Sequence, residues 1–193
     1  MSELLIVFLK NPELGKVKTR LAKDIGNEEA LAVYHKLLKT TIEAAQGCRA
    51  DVNFYFNNSV DARLWPEDQS KIQSGDDLGE KMKNAFQDGF SEGYDRIVII
   101  GSDLPDMSSE LIDKSFQSLS FMDTVIGPAS DGGYYLLGIK KMISELFENV
   151  NWSTNEVLEI TLERLTKKKE SYFLLETKND IDTKEDLMKS SFN

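Results

Sequence analysis

An aspartate that follows a run of β-branched residues is the most chemically suggestive feature of this 193-residue sequence. Ile97 to Ile100 are typical of a strand buried on both faces in the centre of a parallel sheet. Gly101 ends the run, and Asp103 follows where open α/β sheets bind ligands, outside the carboxyl ends of their strands. A carboxylate there suits a hard cation, so Asp103 is a candidate metal ligand and catalytic residue. The pattern alone supports equally well a structural role for Asp103 in the turn before a helix near Ser108.

A second candidate site is the basic loop at residues 10–23. Five basic residues and one acid lie in this loop, although the chain has a formal net charge of −10. Lys16, Lys18 and Arg20 are spaced by two, so an extended segment would point all three side chains the same way. Cations are disfavoured near a helix start, so this cluster, including Lys10, predicts a bound anion, best a phosphate chain. It is not a P-loop, because that motif needs glycine where Lys10 stands. The alternative is a solvated basic patch.

The third candidate is the turn that contains Asp131, Gly132 and Gly133. An Asp-Gly pair favours a hairpin, so turn formation alone explains Asp131. Two glycines in succession also let a backbone approach a ligand closely, because no Cβ intervenes. If the fold brings Asp131 to the same rim as Asp103, the two carboxylates form a magnesium site beside substrate phosphates.

The remaining patterns predict helices and strands that carry these loops. Asn27 is expected to cap a helix to about Gln46, and Trp65-Pro66 breaks the chain before a polar stretch. Two segments have capping-box spacing, Asp77 to Glu80 and Ser153 to Glu156, the second opening a helix to about Lys169. Further helices are predicted at 109–119 and 140–147, and strands at 4–9, 51–56, 124–126, 134–139 and 172–175.

The C-terminal segment from Asn179 to Thr183 contains two more aspartates, Asp180 and Asp182. Thr183 and Asp186 can cap a short helix there, so a structural role is the default. Asp180 or Asp182 as an additional metal ligand is the less favoured alternative.

Composition excludes several function classes. One cysteine, Cys48, rules out an intrachain disulfide and a multi-cysteine zinc site, and the one histidine, His35, argues against zinc and histidine-based triads. The acidic balance disfavours nucleic acid and anionic membranes as partners. No linker, repeat, signal peptide or membrane span is recognisable, so we expect one cytoplasmic domain over residues 1–193.

Several long motifs in one order resemble the bacterial radical-SAM/selenodomain-associated transferase family. They are VFLKNPELGKVKTRLA, GDDLGEKMKNAF, VIIGSDLPDM, GPASDGGYYLLGI, NWST and NDIDTKEDL, and they cover nearly the whole chain. The resemblance implies an α/β GT-A type nucleotide-diphospho-sugar transferase fold, with a mostly parallel central sheet flanked by helices. The implied fold is similar to that of the guanylyltransferases that make molybdenum-cofactor dinucleotide and activated phospholactate.

The resemblance also implies roles for particular residues. It implies that Lys16, Lys18 and Arg20 contact the nucleotide phosphates. The loop Gly75 to Gly79, with Asp77 and Leu78, would contact the nucleobase, and Asp103 would bind the metal. Lys81 stands where the family is expected to have arginine, and Ser102-Asp103-Leu104 supplies one carboxylate of the Asp-x-Asp motif usual in GT-A glycosyltransferases. The absence of the second carboxylate of Asp-x-Asp favours nucleotidyl over glycosyl transfer.

These observations predict a transferase that depends on Mg²⁺ or Mn²⁺. It would use a nucleoside triphosphate or a nucleotide sugar and transfer a nucleotidyl or glycosyl group to a small acceptor. In the nucleotidyl reaction, Asp103 and Asp131 hold the ion, while Lys16, Lys18 and Arg20 offset the charge of the departing pyrophosphate. In the glycosyl reaction Asp131 is a candidate base. The alternative outside the enzymes is a noncatalytic nucleotide-binding or partner-binding protein with the same fold.

Overall fold

The computed structural model describes residues 1–60 and 69–192, and the predicted break at Trp65-Pro66 lies outside them. Seven strands are found in this part of the chain: β1 (Glu3–Leu9), β2 (Asp51–Phe56), β3 (Ser70–Ile72), β4 (Arg96–Ile100), β5 (Thr124–Pro128), β6 (Tyr134–Ile139) and β7 (Tyr172–Leu174). The helices of the same part are α1 (Thr19–Ile25), α2 (Asn27–Gly47), α3 (Leu78–Ser91), α4 (Ser109–Ser118), α5 (Val157–Lys168) and α6 (Lys184–Lys189). None of these helices is long and apolar enough to cross a membrane.

The strands form one mixed sheet in the order β3-β2-β1-β4-β6-β5-β7. β1 pairs in parallel with both β2 and β4, and β2 pairs in parallel with β3. β6 runs antiparallel to its two neighbours, β4 and β5, and β7 is parallel to β5. The mostly parallel α/β sheet is therefore confirmed, and β4 lies at its centre with three strands on each side.

Alternate residues of β4 face two different apolar layers. Val98 and Ile100 pack into the layer that contains α2 and α4, whereas Ile97 and Ile99 pack into the layer of α3 and α5. All four side chains are buried. The prediction of a strand buried on both faces is confirmed, and the segment after Ile100 is fixed because a rigid element precedes it.

Capping was predicted with mixed success. Asp77 caps α3 by accepting a hydrogen bond from the Glu80 N–H at 2.9 Å, but the Glu80 carboxylate accepts from the N–H of Asp76 rather than Asp77. Thr183 and Asp186 form the predicted capping box of α6.

Two predicted helix starts and one predicted helix were wrong. Gly26 occupies the cap of α2, because α1 ends at Ile25 and leaves one residue between the helices; Asn27 is already helical. α5 begins at Val157 without a side-chain cap, because the Gly132 carbonyl accepts from the Leu158 N–H and the β5–β6 turn packs there. The helix predicted at 140–147 is one 3₁₀ turn, Ser144–Leu146, whose buried neighbours Ile143 and Phe147 already pack into the layer of α3 and α5.

Candidate functional site

A cleft of about 550 Å³ opens at the carboxyl ends of the parallel strands. Its wall includes the residues that directly follow β1, β2 and β3, which are Lys10, Asn57 and Gln73. Gly101 to Leu104 contribute from the end of β4. The cleft therefore lies where parallel α/β sheets bind ligands, with the central strand leading into it.

Asp103 and Asp131 both line this cleft, so the fold brings the two predicted carboxylates to one rim. The Asp131 Oδ1 atom also accepts a hydrogen bond from the Gly133 N–H at 2.9 Å, which gives it a turn role as well. Among residues 1–60 and 69–192, no three His, Cys, Asp or Glu side chains are already arranged to hold a metal ion.

Asp180 joins these carboxylates from the C-terminal segment. The Ile181 N–H donates to the Asp103 carbonyl at 3.1 Å, and the fully buried Ile181 side chain anchors the segment beside β4. Asp180 Oδ1 is buried, and no described group bonds to it. Burial raises the Asp180 pKa to about 7; the negative charges of Asp103 and Asp131 add to the effect, and the Lys18 charge opposes it.

Neutralising Asp180 should therefore stabilise the metal-free protein. The folded-state pKa exceeds the unfolded value, so folding loses stability as pH rises from about 4 to 7 and bears the full penalty above pH 7. Asp180→Asn removes this penalty and should raise the melting temperature by about 3 °C or more at pH 8 in EDTA, with a smaller gain at pH 5. Differential scanning calorimetry tests this. Asp182→Asn is the control of opposite sign, because Asp182 pairs with Lys18; an unchanged or lower melting temperature for Asp180→Asn would contradict the prediction.

The three basic side chains spaced by two do not point the same way. The segment is a turn rather than extended, since Lys18 has a left-handed backbone (φ 48°) and α1 begins at Thr19. Lys16 is exposed and pairs with Glu13 at 2.5 Å, outside the cleft. Arg20 projects from α1 into the cleft wall, with its guanidinium 3.6 Å from the Asp182 carboxylate. The prediction of a shared direction was wrong.

Lys18 is turned inward beneath the cleft. Its side chain is only 4% exposed, and its ammonium contacts the Asp103 carboxylate and lies 3.1 Å from Asp182 Oδ1. Burial by itself would lower the Lys18 pKa, but the two aspartate charges more than offset this and the pKa is raised. Lys18 is thus a charged residue that is desolvated and paired, whereas Lys10, Arg20 and Lys81 are cations of the cleft wall.

Tyr34 ties two of the loops of the site together. Its hydroxyl accepts from the Lys10 N–H and donates to the Lys10 carbonyl, both at 2.9 Å, and lies 3.2 Å from the Ser102 hydroxyl. The ring is buried in α2. Tyr34 therefore fixes the position of Lys10 after β1 relative to Asp103 after β4, a role that its place in an apolar helical stripe concealed.

The predicted glycine positions divide between packing and the cleft. From the loop Gly75 to Gly79, only Leu78 lines the cleft; Gly75 has φ 130° in a turn and Asp77 caps α3. Gly133 lines the cleft, whereas Gly132 packs against the backbone of Asn155, with which any Cβ would overlap. The structure thus gives Gly75, Asp77, Gly79 and Gly132 structural positions.

Trp152 is a cleft residue that the sequence analysis did not single out. The edge of its indole packs directly on Gly79, and a Cβ at that glycine would overlap the ring. The indole Nε1 is buried without a hydrogen-bond partner in the described part of the chain. Gly79 was the available signal, because a glycine inside a helix often marks close packing.

Comparisons with known proteins agree with this architecture. Residues 41–154 match the family described as "Uncharacterized protein conserved in bacteria (DUF2064)", and the chain belongs to that family. A solved structure from Desulfovibrio desulfuricans G20, provisionally described as a nucleotide-diphospho-sugar transferase, is 36% identical. The match covers 95% of this chain and 84% of that one, with a TM-score of 0.89. A comparison with curated protein sequences finds no significant match.

Two more distant structures share the fold. A CMP:2-keto-3-deoxy-manno-octonic acid synthetase complexed with CTP is 8% identical, with a TM-score of 0.59 over 98% of this chain and 96% of that one. The Rv0371c protein of Mycobacterium tuberculosis H37Rv, complexed with manganese, is 12% identical, with a TM-score of 0.60 over 98% of this chain and 97% of that one. The nucleotide-diphospho-sugar transferase (GT-A-like) fold is confirmed.

Proposed function

We propose that this chain is a metal-dependent nucleotidyltransferase that uses a nucleoside triphosphate and a small acceptor. The observation that carries the proposal is the position of Asp103, at the end of the central strand in a cleft with three cations in its wall. Phosphates and a divalent ion need this combination of carboxylate and positive charge. The named relatives that bind CTP or manganese support the proposal.

The residues present fit a hard cation such as Mg²⁺ or Mn²⁺. Asp103, Asp131 and Asp180 provide only oxygen ligands, which these ions prefer. The buried Asp180 Oδ1 atom, which has no described partner, is the kind of atom that an ion would satisfy. Because such ions are held by one or two carboxylates together with substrate phosphates, a set of three preassembled ligands is not required.

In the proposed reaction, Asp103, together with Asp131 and Asp180 in the same cleft, would hold the ion, which would supply neutralisation of charge on the phosphate oxygens. Lys10, Arg20 and Lys81 bind the β- and γ-phosphates and orient them. An anionic oxygen of the acceptor, from a phosphate or carboxylate group, attacks the α-phosphorus, the bond from that phosphorus to the bridging oxygen breaks, and pyrophosphate leaves with the negative charge. The chain contributes positioning and fixed charges, which are the main requirements of phosphoryl and nucleotidyl transfer.

The acceptor is assigned to the part of the cleft wall formed by Tyr134, Trp152, Ser153 and Val157, a group that contains no cation. Ser153 has a left-handed backbone (φ 65°), a costly conformation for a residue other than glycine. Trp152 provides a flat apolar surface. The nucleotide is assigned to the part of the wall formed by Lys10, Asn57 and Gln73.

Gly79→Ala should impair the acceptor part of the cleft without removing the metal site. The added methyl group overlaps the Trp152 indole and displaces it, whereas alanine is favourable in a helix. We expect the KM for acceptor to rise about tenfold with little change in nucleotide affinity. Gly89→Ala in the same helix is the matched control, because its added methyl group meets Ile97 and Leu4, which do not line the cleft. Equal losses of nucleotide and acceptor binding would contradict this division.

Glycosyl transfer is the second candidate, favoured by the description of the 36% identical relative. In that reaction the same cations would bind a nucleoside diphosphate leaving group, and Asp131 would be the base. ³¹P NMR of reactions with Mg²⁺ and an acceptor mixture separates the candidates. Pyrophosphate from a nucleoside triphosphate supports nucleotidyl transfer, and nucleoside diphosphate from a nucleotide sugar supports glycosyl transfer. Tight nucleotide binding without either product favours the noncatalytic alternative.

A further inference from the structure

The buried ammonium of Lys18 occupies the place where a cation would meet Asp103. It contacts the Asp103 carboxylate and lies 3.1 Å from Asp182 Oδ1, with its side chain only 4% exposed. Both aspartates line the cleft, but Lys18 does not. The chain therefore supplies its own cation to the carboxylate that the proposed function assigns to the metal.

The local backbone keeps Lys18 in this position. The residue precedes α1 with a left-handed conformation, φ 48° and ψ 43°, and it forms no side-chain cap. Its neighbour Val17 is buried, which anchors the turn. Because desolvated charges are costly unless paired, the ammonium cannot leave Asp103 and Asp182 without another anion to receive it.

A divalent ion at Asp103 would lie close to this ammonium and be repelled by it. The phosphates of a nucleotide offset this repulsion, because their negative charge lies beside the ion while Lys18 keeps its pairing with Asp182. Resting on the proposed function, we propose that Lys18 is an internal counter-ion that keeps the metal site closed until nucleotide binds. The metal and the nucleotide then bind together, and the free protein has little affinity for the ion alone.

The test is a titration of the nucleotide-free protein with Mn²⁺ alone, in which the signal of free Mn²⁺ is measured by electron paramagnetic resonance. We expect the wild type to bind weakly and Lys18→Met to bind at least tenfold more tightly, because Asp103 loses its competing cation. Methionine has similar length and no β-branch, so it adds no new backbone strain. Lys18→Arg keeps the charge and should resemble the wild type.

Two further variants make the result specific. Lys16→Met removes an exposed lysine two residues away, which pairs with Glu13 outside the cleft, and should leave Mn²⁺ binding unchanged. Adding Asp103→Asn to Lys18→Met should abolish the gained affinity. A folded Lys18→Met protein without gained affinity would overturn the proposal.

The wild type provides a test even if Lys18→Met does not fold. Tight, saturable Mn²⁺ binding to the nucleotide-free wild type, equal to that with nucleotide, would overturn the proposal. Because this titration contains no nucleotide and no acceptor, it reports on Lys18 separately from the proposed function. The proposed function fails instead if no nucleoside triphosphate binds in the presence of Mn²⁺.

Discussion

Asp103→Asn should leave a folded protein that has lost the metal-dependent part of nucleotide binding and nearly all turnover. Asparagine keeps the shape of the side chain and its oxygen can still accept from Lys18, but the charge that attracts the ion is gone. The remaining partner of Lys18, Asp182, holds the ammonium in place. Isothermal titration calorimetry with and without Mg²⁺ measures the binding loss, and pyrophosphate release measures turnover.

The matched control is Asp106→Asn in the same loop. Asp106 pairs with Lys178 at the surface and does not line the cleft, so this variant should keep metal-dependent binding and activity. Asp131→Asn should show a weaker loss than Asp103→Asn, because Asp131 also serves the turn through the Gly133 N–H. Full metal-dependent activity in Asp103→Asn would show that the metal site is misplaced.

Arg20→Ala should weaken nucleotide binding by about tenfold or more, with little change in melting temperature. The guanidinium lies in the cleft wall on α1, two-thirds exposed, and the Asp182 carboxylate is 3.6 Å away. A charge-assisted contact to phosphate contributes about 1.5–3 kcal/mol, which corresponds to at least a tenfold change in affinity.

Lys16→Ala distinguishes a specific contact from the overall charge of the basic loop. It removes the same unit of charge four residues from Arg20, but Lys16 points away from the cleft to Glu13. Calorimetry should therefore show less than a twofold effect for Lys16→Ala in moderate salt. Equal effects of the two variants would mean that the loop acts through its net charge rather than through Arg20.

The sequence predicted best what depends on long-range regularity. β4 was recognisable because a strand buried on both faces needs consecutive apolar residues, and its carboxyl end then predicted Asp103. The mostly parallel sheet was implied by the resemblance that the ordered motifs carry. The 3₁₀ turn at Ser144–Leu146 was missed because apolar residues at helical spacing also fit a single turn that packs against the core.

The site was predicted less completely because its side chains depend on local backbone angles and distant contacts. Spacing by two implies a shared direction only in an extended segment, and the left-handed residue Lys18 ends that regularity. Asp180 comes from a segment 77 residues after Asp103 in sequence, and backbone hydrogen bonds of Lys178 to the end of β5 and of Ile181 to the loop after β4 bring it there. Trp152 was missed because its contact with Gly79 joins a loop to the first turn of α3, which is distant in sequence.

An anomalous difference map would show directly whether Asp103 binds a divalent ion beside the phosphates of a nucleotide. Crystals of the wild type would be soaked with Mn²⁺ and the nucleoside triphosphate that binds best in a thermal-shift panel. We expect one Mn²⁺ peak in the cleft, in direct contact with the Asp103 carboxylate and with phosphate oxygens. We expect the phosphates to lie beside Arg20. Nucleotide bound in the cleft with no Mn²⁺ at Asp103, or phosphates bound away from that carboxylate, would contradict it.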